Sequence, residues 1–220
     1  MTQEDSLRER LIDVGVDIVM TDGAASLGLR EIARRAGVSH GAPRRHFATH
    51  HALLSAIARR GFEDLEARFE IATGRATSPR GQLEALARTY VGYALAHRGM
   101  FELMFRHDLL DSGQHPSDAD HPRLRESTLP LFDGIVGLVA RCRTEQEAAD
   151  RSGARSSALP PPPVVAAALW ANLHGIAQLW AWDSMQLALD SPSAGGSAGR
   201  DHLDGVVAAA LDAHLGPAAV

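Results

Sequence analysis

The sequence predicts an all-α chain, and three observations carry that prediction. Apolar residues recur at spacings of three and four along most of its 220 positions. No segment alternates apolar and polar residues for long enough to read as a strand. The breaks between stripes are clusters of Gly, Pro, Asp and Ser, the residues that end helices.

The elements follow in order. Leu7, Leu11, Val14 and Ile18 are spaced 4, 3, 4 and make the apolar stripe of a first helix, which "TDG" at 21–23 ends with Gly23 as a left-handed cap. A short helix over 29–36 buries Leu29, Ile32, Ala33 and Ala36, with Gly28 as its N-cap and Gly37 stopping it. Ser39 is expected to cap a third helix through Phe47, although Pro43 favours a late start. "ATH" at 48–50 opens a longer helix carrying Leu53, Leu54, Ile57, Phe62, Leu65 and Phe69, and "TGRATSPRG" at 73–81 breaks it. Leu83, Leu86, Tyr90, Tyr93 and His97 share the next stripe, and a short apolar helix is expected over 100–110. Residues 124–143 read as helix started or kinked by Pro130, 144–163 and 190–200 as flexible connections, and 164–189 and 201–215 as the last helices.

Composition narrows the function. With 45% apolar and 22% charged residues the chain is globular. The lone Cys142 excludes an internal disulfide and fits a reducing, cytoplasmic setting. The N-terminus does not read as a signal peptide, and the longest apolar run free of proline, 164–171, is far below the roughly 18 residues that span a bilayer. No membrane partner is expected. Every basic residue is Arg, which with the abundant Ala, Gly and Pro reads as the codon bias of a GC-rich genome.

The net charge of −5 is unevenly spread. Residues 28–60 hold seven Arg and one acid, for +6, against −4 over 1–27 and −7 over 61–220. One polyanion-binding face on an acidic chain is the reading this supports.

Within that segment "AGVSHGAPRRHFATHHALL" (36–54) gathers four His, two Arg, two Gly and a Pro. HExxH, GxSxG, the P-loop and GxGxxG are all absent, so no metal-hydrolase, acyl-transfer or nucleotide motif claims these residues. His46 and His50 are four apart, but across an expected helix break that removes their shared face. No metal, cofactor or enzymatic activity is expected. A helix-turn-helix does account for the pattern: Ala33 and Ala36 where two helices touch, Gly37 at the left-handed corner, Val38 as the apolar plug. The next helix then presents His40, Gly41, Arg44 and Arg45 outward while Phe47 returns to the core.

"LREIARRAGVSHGAPRRHFATHHALLSAIA" (29–58) resembles the N-terminal DNA-binding domain of TetR-type bacterial transcriptional regulators, and the likeness runs over residues 6–60. "HRGMFELMF" (97–105) and "WANLHG" (170–175) resemble the subgroup named for a Trp-His-Gly signature in its ligand domain. The chain departs at two positions, with Arg44 where the family commonly has Tyr and His50 where it has Lys. The resemblance implies phosphate contact at both.

It further implies an N-terminal helix-turn-helix domain over 1–60, a connecting helix over 61–79 and a helical effector-binding and dimerisation bundle over 80–220. A homodimer would set two reading helices about 34–36 Å apart, or a multiple, on a palindromic double-stranded operator. Arg30, Ser39, His40, Gly41, Arg44, Arg45, His46 and His50 are then the DNA-binding candidates. Tyr90, Tyr93, His97, Phe101, Met104, Phe105, Trp170, His174 and Gln178 would line a cavity for a small, partly apolar effector whose binding releases the operator. Ile176, Leu179, Trp180, Leu187, Val207 and Leu211 would form the dimer interface. Repression is the expected mode. The rival reading is a metal-sensing regulator that uses His107, Asp111, His115, Asp118 and His121. A helical enzyme lacks any supporting motif; a third reading is a DNA-binding dimer without an effector, which failure to find a bound small molecule would favour.

Overall fold

In the computed structural model the described residues are 3–106, 124–149, 160–190 and 197–217. Every regular element among them is helical, so the all-α prediction holds. The helices are α1 (Gln3–Asp22), α2 (Leu29–Arg35), α3 (Pro43–His46), α4 (His50–Thr73), α5 (Pro79–Ala96), α6 (Arg98–Met104), α7 (Leu124–Ala149), α8 (Pro162–Ala181), α9 (Ser184–Ala188) and α10 (Ser197–Leu215). A 3-10 turn, Ala24–Ser26, joins α1 to α2.

The chain divides into two compact units: Met1–Leu65 with Ala96–Leu129, and Glu66–Leu95 with Pro130–Val220. Residues 1–60 thus lie wholly in the first unit, while the span 80–220 contributes to both.

In the first unit α1 packs against α2, α3 and α6. Its core is Leu11, Ile18, Ile32, Leu53, Ile57, Met100 and Met104. Glycines set how near the helices come. A Cβ on Gly15 of α1 would collide with the Ile57 side chain of α4, and one on Gly61 of α4 would lie 2.8 Å from Met100 Cγ of α6. A Cβ on Gly99 of α6 would collide with the Val19 carbonyl of α1 and lie 2.9 Å from Gly23 Cα.

In the second unit α5, α7, α8 and α10 are pinned by polar side chains. Arg80 of α5 bonds Asp212 and the Gly216 carbonyl at the end of α10, and Gln146 of α7 donates to the Leu215 carbonyl. These cap carbonyls that the end of a helix leaves unpaired. Arg141 of α7 donates to Gln82 Oε1 of α5 at 3.1 Å, and α8 lies along α10.

Four expectations need correcting. The third helix is a single turn beginning at Pro43. Ala42, not Ser39, is its N-cap, because Pro43 has no N–H to join an earlier turn. The short apolar helix spans 98–104; its expected part beyond 106 lies outside the described residues. The expected helix over 164–189 is broken after Ala181 by Asp183, whose φ of 57° is left-handed. Gln186 steadies the break by donating to the Trp180 carbonyl at 2.8 Å. Finally, 144–149 extend α7 and 197–200 open α10. Glu145, Gln146, Glu147, Ala148 and Ala149 are good helix formers, which a linker-like composition downstream obscured.

Candidate functional site

The exposed basic segment is built on α2, a left-handed corner and α3. Gly37 turns the chain at φ 66°, and the Val38 amide returns to the Ala33 carbonyl at 3.0 Å, closing the end of α2. Residues 39–42 form a turn in which the Ala42 amide donates to the Ser39 carbonyl at 2.9 Å. Ile32, Ala33, Pro43 and Phe47 are buried beneath. Ser39, His40, Gly41, Arg44 and Arg45 are exposed above, His46 is half-buried, and Arg30 is exposed on α2.

Ion pairs sort the arginines of this basic segment. Glu31 receives Arg34 at 2.6 Å and Arg35 at 2.7 Å, and Arg35 also reaches Asp22. Hydrogen bonds from Arg34 and then Arg35 hold the Glu31 carboxyl down at about 2. Arg60 is paired with Glu9 and Glu63. Among the described residues Arg30, Arg44 and Arg45 make no ion pair. The Glu31 pairings were legible as i,i+3 and i,i+4 spacings; those to Asp22 and Glu9 depend on the fold.

His50 stands apart from this exposed set. It is half-buried, and its Nε2 lies 2.9 Å from the Leu27 carbonyl, tying the first turn of α4 to the segment entering α2. A backbone carbonyl only accepts, so Nε2 carries the proton. Thr49 completes the start of α4 by accepting the Ala52 amide at 3.0 Å.

The second unit holds a polar cluster in aromatic surroundings. Trp170 Nε1 donates to Tyr90 Oη at 3.0 Å, and Tyr90 Oη lies 2.9 Å from His174 Nδ1. Burial pushes the Tyr90 phenol up and the His174 imidazole down, so both are neutral near pH 7. Indole N–H is only a donor, so the phenol accepts it and gives its own proton to a neutral His174 at Nδ1. The Trp170 ring lies edge-on to Phe132 of α7 at 6.4 Å. No stripe in the sequence singled Phe132 out. Tyr93 is buried in the same unit under the Arg68 guanidinium, 5.5 Å from its ring, and Gln178 is half-buried on α8.

With this geometry in view, comparison places the chain. Residues 83–198 match the family model described as "Tetracyclin repressor-like, C-terminal domain". The chain belongs to the TetR family of transcriptional regulators. It is 33% identical to a protein of unknown function from Rhodococcus sp. RHA1, over 95% of this chain and 93% of that one, with a TM-score of 0.67. The multidrug-binding protein EbrR, solved with imidazole, shares the fold at a TM-score of 0.51 and 24% identity, over 97% and 96% of the two chains. A TetR-family transcriptional regulator from Streptomyces coelicolor does so at 0.62 and 16%, over 98% and 97%. No curated protein matches the chain.

The remaining sequence-predicted residues fall unevenly. His97, Phe101, Met104 and Phe105 belong to the first unit, where Phe101 and Met104 are buried and Phe105 meets Phe62 edge-on at 5.6 Å. Of the residues expected at a dimer interface, Ile176, Trp180, Val207 and Leu211 are buried within the second unit. Leu179 and Leu187 are exposed, Leu187 to 85%, alongside Val164 and Trp182. The α8 helix contains an 18-residue window with a mean hydropathy of 1.3 and is long and apolar enough to cross a membrane by those measures alone. Counting uninterrupted runs missed this, because Asn172, His174 and Gln178 punctuate it. The histidines and aspartates of 107–121 lie outside the described residues.

Proposed function

We propose that this TetR-family chain is a homodimeric, effector-responsive repressor that binds a palindromic operator in the cytoplasm. One observation carries the reading. The Gly37 corner buries Pro43 and Phe47 and leaves Arg30, Arg44 and Arg45 exposed without a carboxylate of their own. Residues 39–45 are presented to the major groove, with His40 and Gly41 at the leading turn and His46 beside it. His50 acts as a brace for the reading head through Leu27.

Dimerisation falls to the outer face of α8 and to α10. Ala168, Ala171 and Leu179 are exposed on α8, and Ala208 and Ala209 on α10. The four alanines let two copies approach closely, and Leu179 supplies apolar area between them. The α8 helix is then apolar on both sides because one side is core and the other faces a second subunit. Ile176, Trp180, Val207 and Leu211 support that face from within.

The effector is a small, partly apolar molecule held at the Tyr90, Trp170 and His174 cluster, with Phe132, Tyr93 and Gln178 near it in the same unit. The fold likeness to a multidrug-binding protein supports small-molecule binding. Bound effector favours a subunit arrangement in which the two heads no longer match the groove.

The test is selection of genomic fragments by the purified full-length protein at about physiological salt, followed by sequencing. Enrichment of one near-palindrome beside a promoter is expected. Weak, sequence-blind binding would reject operator recognition. Small molecules suggested by the adjacent genes are then screened, and operator affinity that none of them changes counts against effector control.

A further inference from the structure

We infer that Arg45 reads a guanine in each half of the operator, while Arg44 and Arg30 hold phosphate. The assignment rests on the operator-binding reading above and deepens it.

It starts from the shortness of α3. The helix is one turn long, so it has room for a single residue at its crest. At about 100° per residue, Arg45 lies roughly 200° round from the buried Pro43, on the side away from the core. Arg44 and His46 sit on the two flanks, exposed and half-buried respectively. A residue at the crest enters the groove first, and flanking residues meet the sugar–phosphate walls.

Availability points the same way. Of the arginines on either side of the corner, Arg34 and Arg35 are held by Glu31, and Arg35 also by Asp22. Arg45 has no ion pair among the described residues, and no acid occurs in the sequence between Glu31 and Glu63 to compete for it. Its planar fork matches the O6 and N7 acceptors of guanine, the edge that a guanidinium reads in bidentate fashion.

The neighbouring turn leaves space for that approach. Gly41 is exposed, its φ is not left-handed, and a Cβ there would meet nothing within 4 Å. The fold does not require a glycine at this position. Its bare backbone lowers the surface that must come up to the duplex beside Arg45.

The experiment uses the full-length chain and the palindrome enriched above, with binding followed by fluorescence anisotropy. In one half-site each guanine is replaced in turn by 7-deazaguanine, which lacks the N7 acceptor. One replacement is expected to weaken the unmodified protein about tenfold. Arg45→Ala, which removes the contact from both half-sites, should bind the intact operator about a hundredfold more weakly, lose nothing further on the modified duplex, and keep an unchanged salt slope. Arg44→Ala should weaken binding on every duplex alike and make the slope shallower by about two per dimer. Unchanged far-UV circular dichroism and unfolding midpoints verify that both variants are folded.

Arg45 is overturned as the reader if its alanine variant still responds to every 7-deazaguanine as the unmodified protein does. A uniform loss on operator and scrambled duplex, with a shallower slope, also overturns it by making Arg45 a phosphate contact. A half-site without guanine does the same. An unmodified protein that enriches no palindrome rejects the operator reading itself, and the assignment falls with it.

Discussion

The two units of this chain solve the same problem, fixing helices against one another, in opposite ways. The first unit does it by contact: Gly15, Gly61 and Gly99 let α1, α4 and α6 approach until an added methyl would collide with a neighbour. The second unit does it with side-chain hydrogen bonds. Arg80, Gln146 and Arg141 tie α5, α7 and α10, and the Tyr90–Trp170–His174 cluster ties α5 to α8. Close packing specifies one arrangement and resists displacement. Polar ties hold a geometry too, but each can be exchanged for water or a ligand group at small net cost. A close-packed first unit and an exchangeable second unit suit the proposed role, in which one geometry is kept for DNA while the other answers a small molecule.

The sharpest way to break this contrast is at Gly99. Its neighbours are backbone, the Val19 carbonyl and Gly23 Cα, which cannot swing aside. Gly99→Ala is expected to cost about 1–3 kcal/mol or somewhat more in urea unfolding. Gly61→Ala should cost clearly less, because the flexible Met100 and Met104 side chains can yield and alanine favours the helix. Equal costs at the two positions would mean that the first unit is not fixed by backbone approach.

In the second unit the largest effect falls on the Tyr90 hydroxyl. Tyr90→Phe leaves the Trp170 N–H and His174 Nδ1 without that partner and should cost about 1–3 kcal/mol. The same cluster sets a two-sided pH response. His174 is held below its ordinary value, so the unfolded chain takes up its proton first, and stability falls as pH drops below about 6.5. Tyr90 is held above its ordinary value, so the unfolded phenol ionises first, and stability falls as pH rises past about 10. His174→Gln should flatten the acid side of the urea midpoint against pH, and Tyr90→Phe the alkaline side. Retention of both slopes in both variants would remove the cluster as their source.

Much of this was legible in the sequence, and the parts that were not share a cause. The α2–corner–α3 unit could be read because Gly37, Val38, Pro43 and Phe47 act through local backbone conformation and short-range burial. Trp170 and His174 lie four apart, so a shared helix face was readable. Their hydrogen bonds to Tyr90, eighty residues away in the chain, were not. The apolar faces of α8 and α10 were visible as stripes, but which residues the protomer buries depends on where the helices cross. Hence Ile176 and Trp180 turn inward, and Leu179 and Leu187 outward. His50 shows the same limit. The resemblance implied a phosphate contact there, and only the fold adds the Leu27 carbonyl, 2.9 Å from its ring.

The exposed apolar residues of the second unit give the next prediction, a smaller one. Leu187 is 85% exposed, so Leu187→Asp should leave the monomer's unfolding free energy within about 0.5 kcal/mol of the parent. If α8 and its continuation meet a second copy, the same change should shift the dimer–monomer equilibrium toward monomer in sedimentation. An unchanged association constant would place the contact elsewhere.

The smallest effect belongs to the surface pair that holds α2. The Glu31 carboxyl is held at about 2, against an ordinary 4.5, by Arg34 and Arg35. A depressed carboxyl contributes fully above its unfolded value, and that contribution fades as pH falls through the folded one. Glu31→Gln should therefore lower the unfolding midpoint slightly and by a constant amount above about pH 4.5, with the gap closing between pH 4.5 and 2. Screening makes the gap smaller in high salt. The variant also frees Arg34, while Arg35 keeps Asp22, so its weak binding to random duplex should tighten and its salt slope steepen. If neither changes, Arg34 does not reach DNA even when released, and it drops out of the proposed contact set.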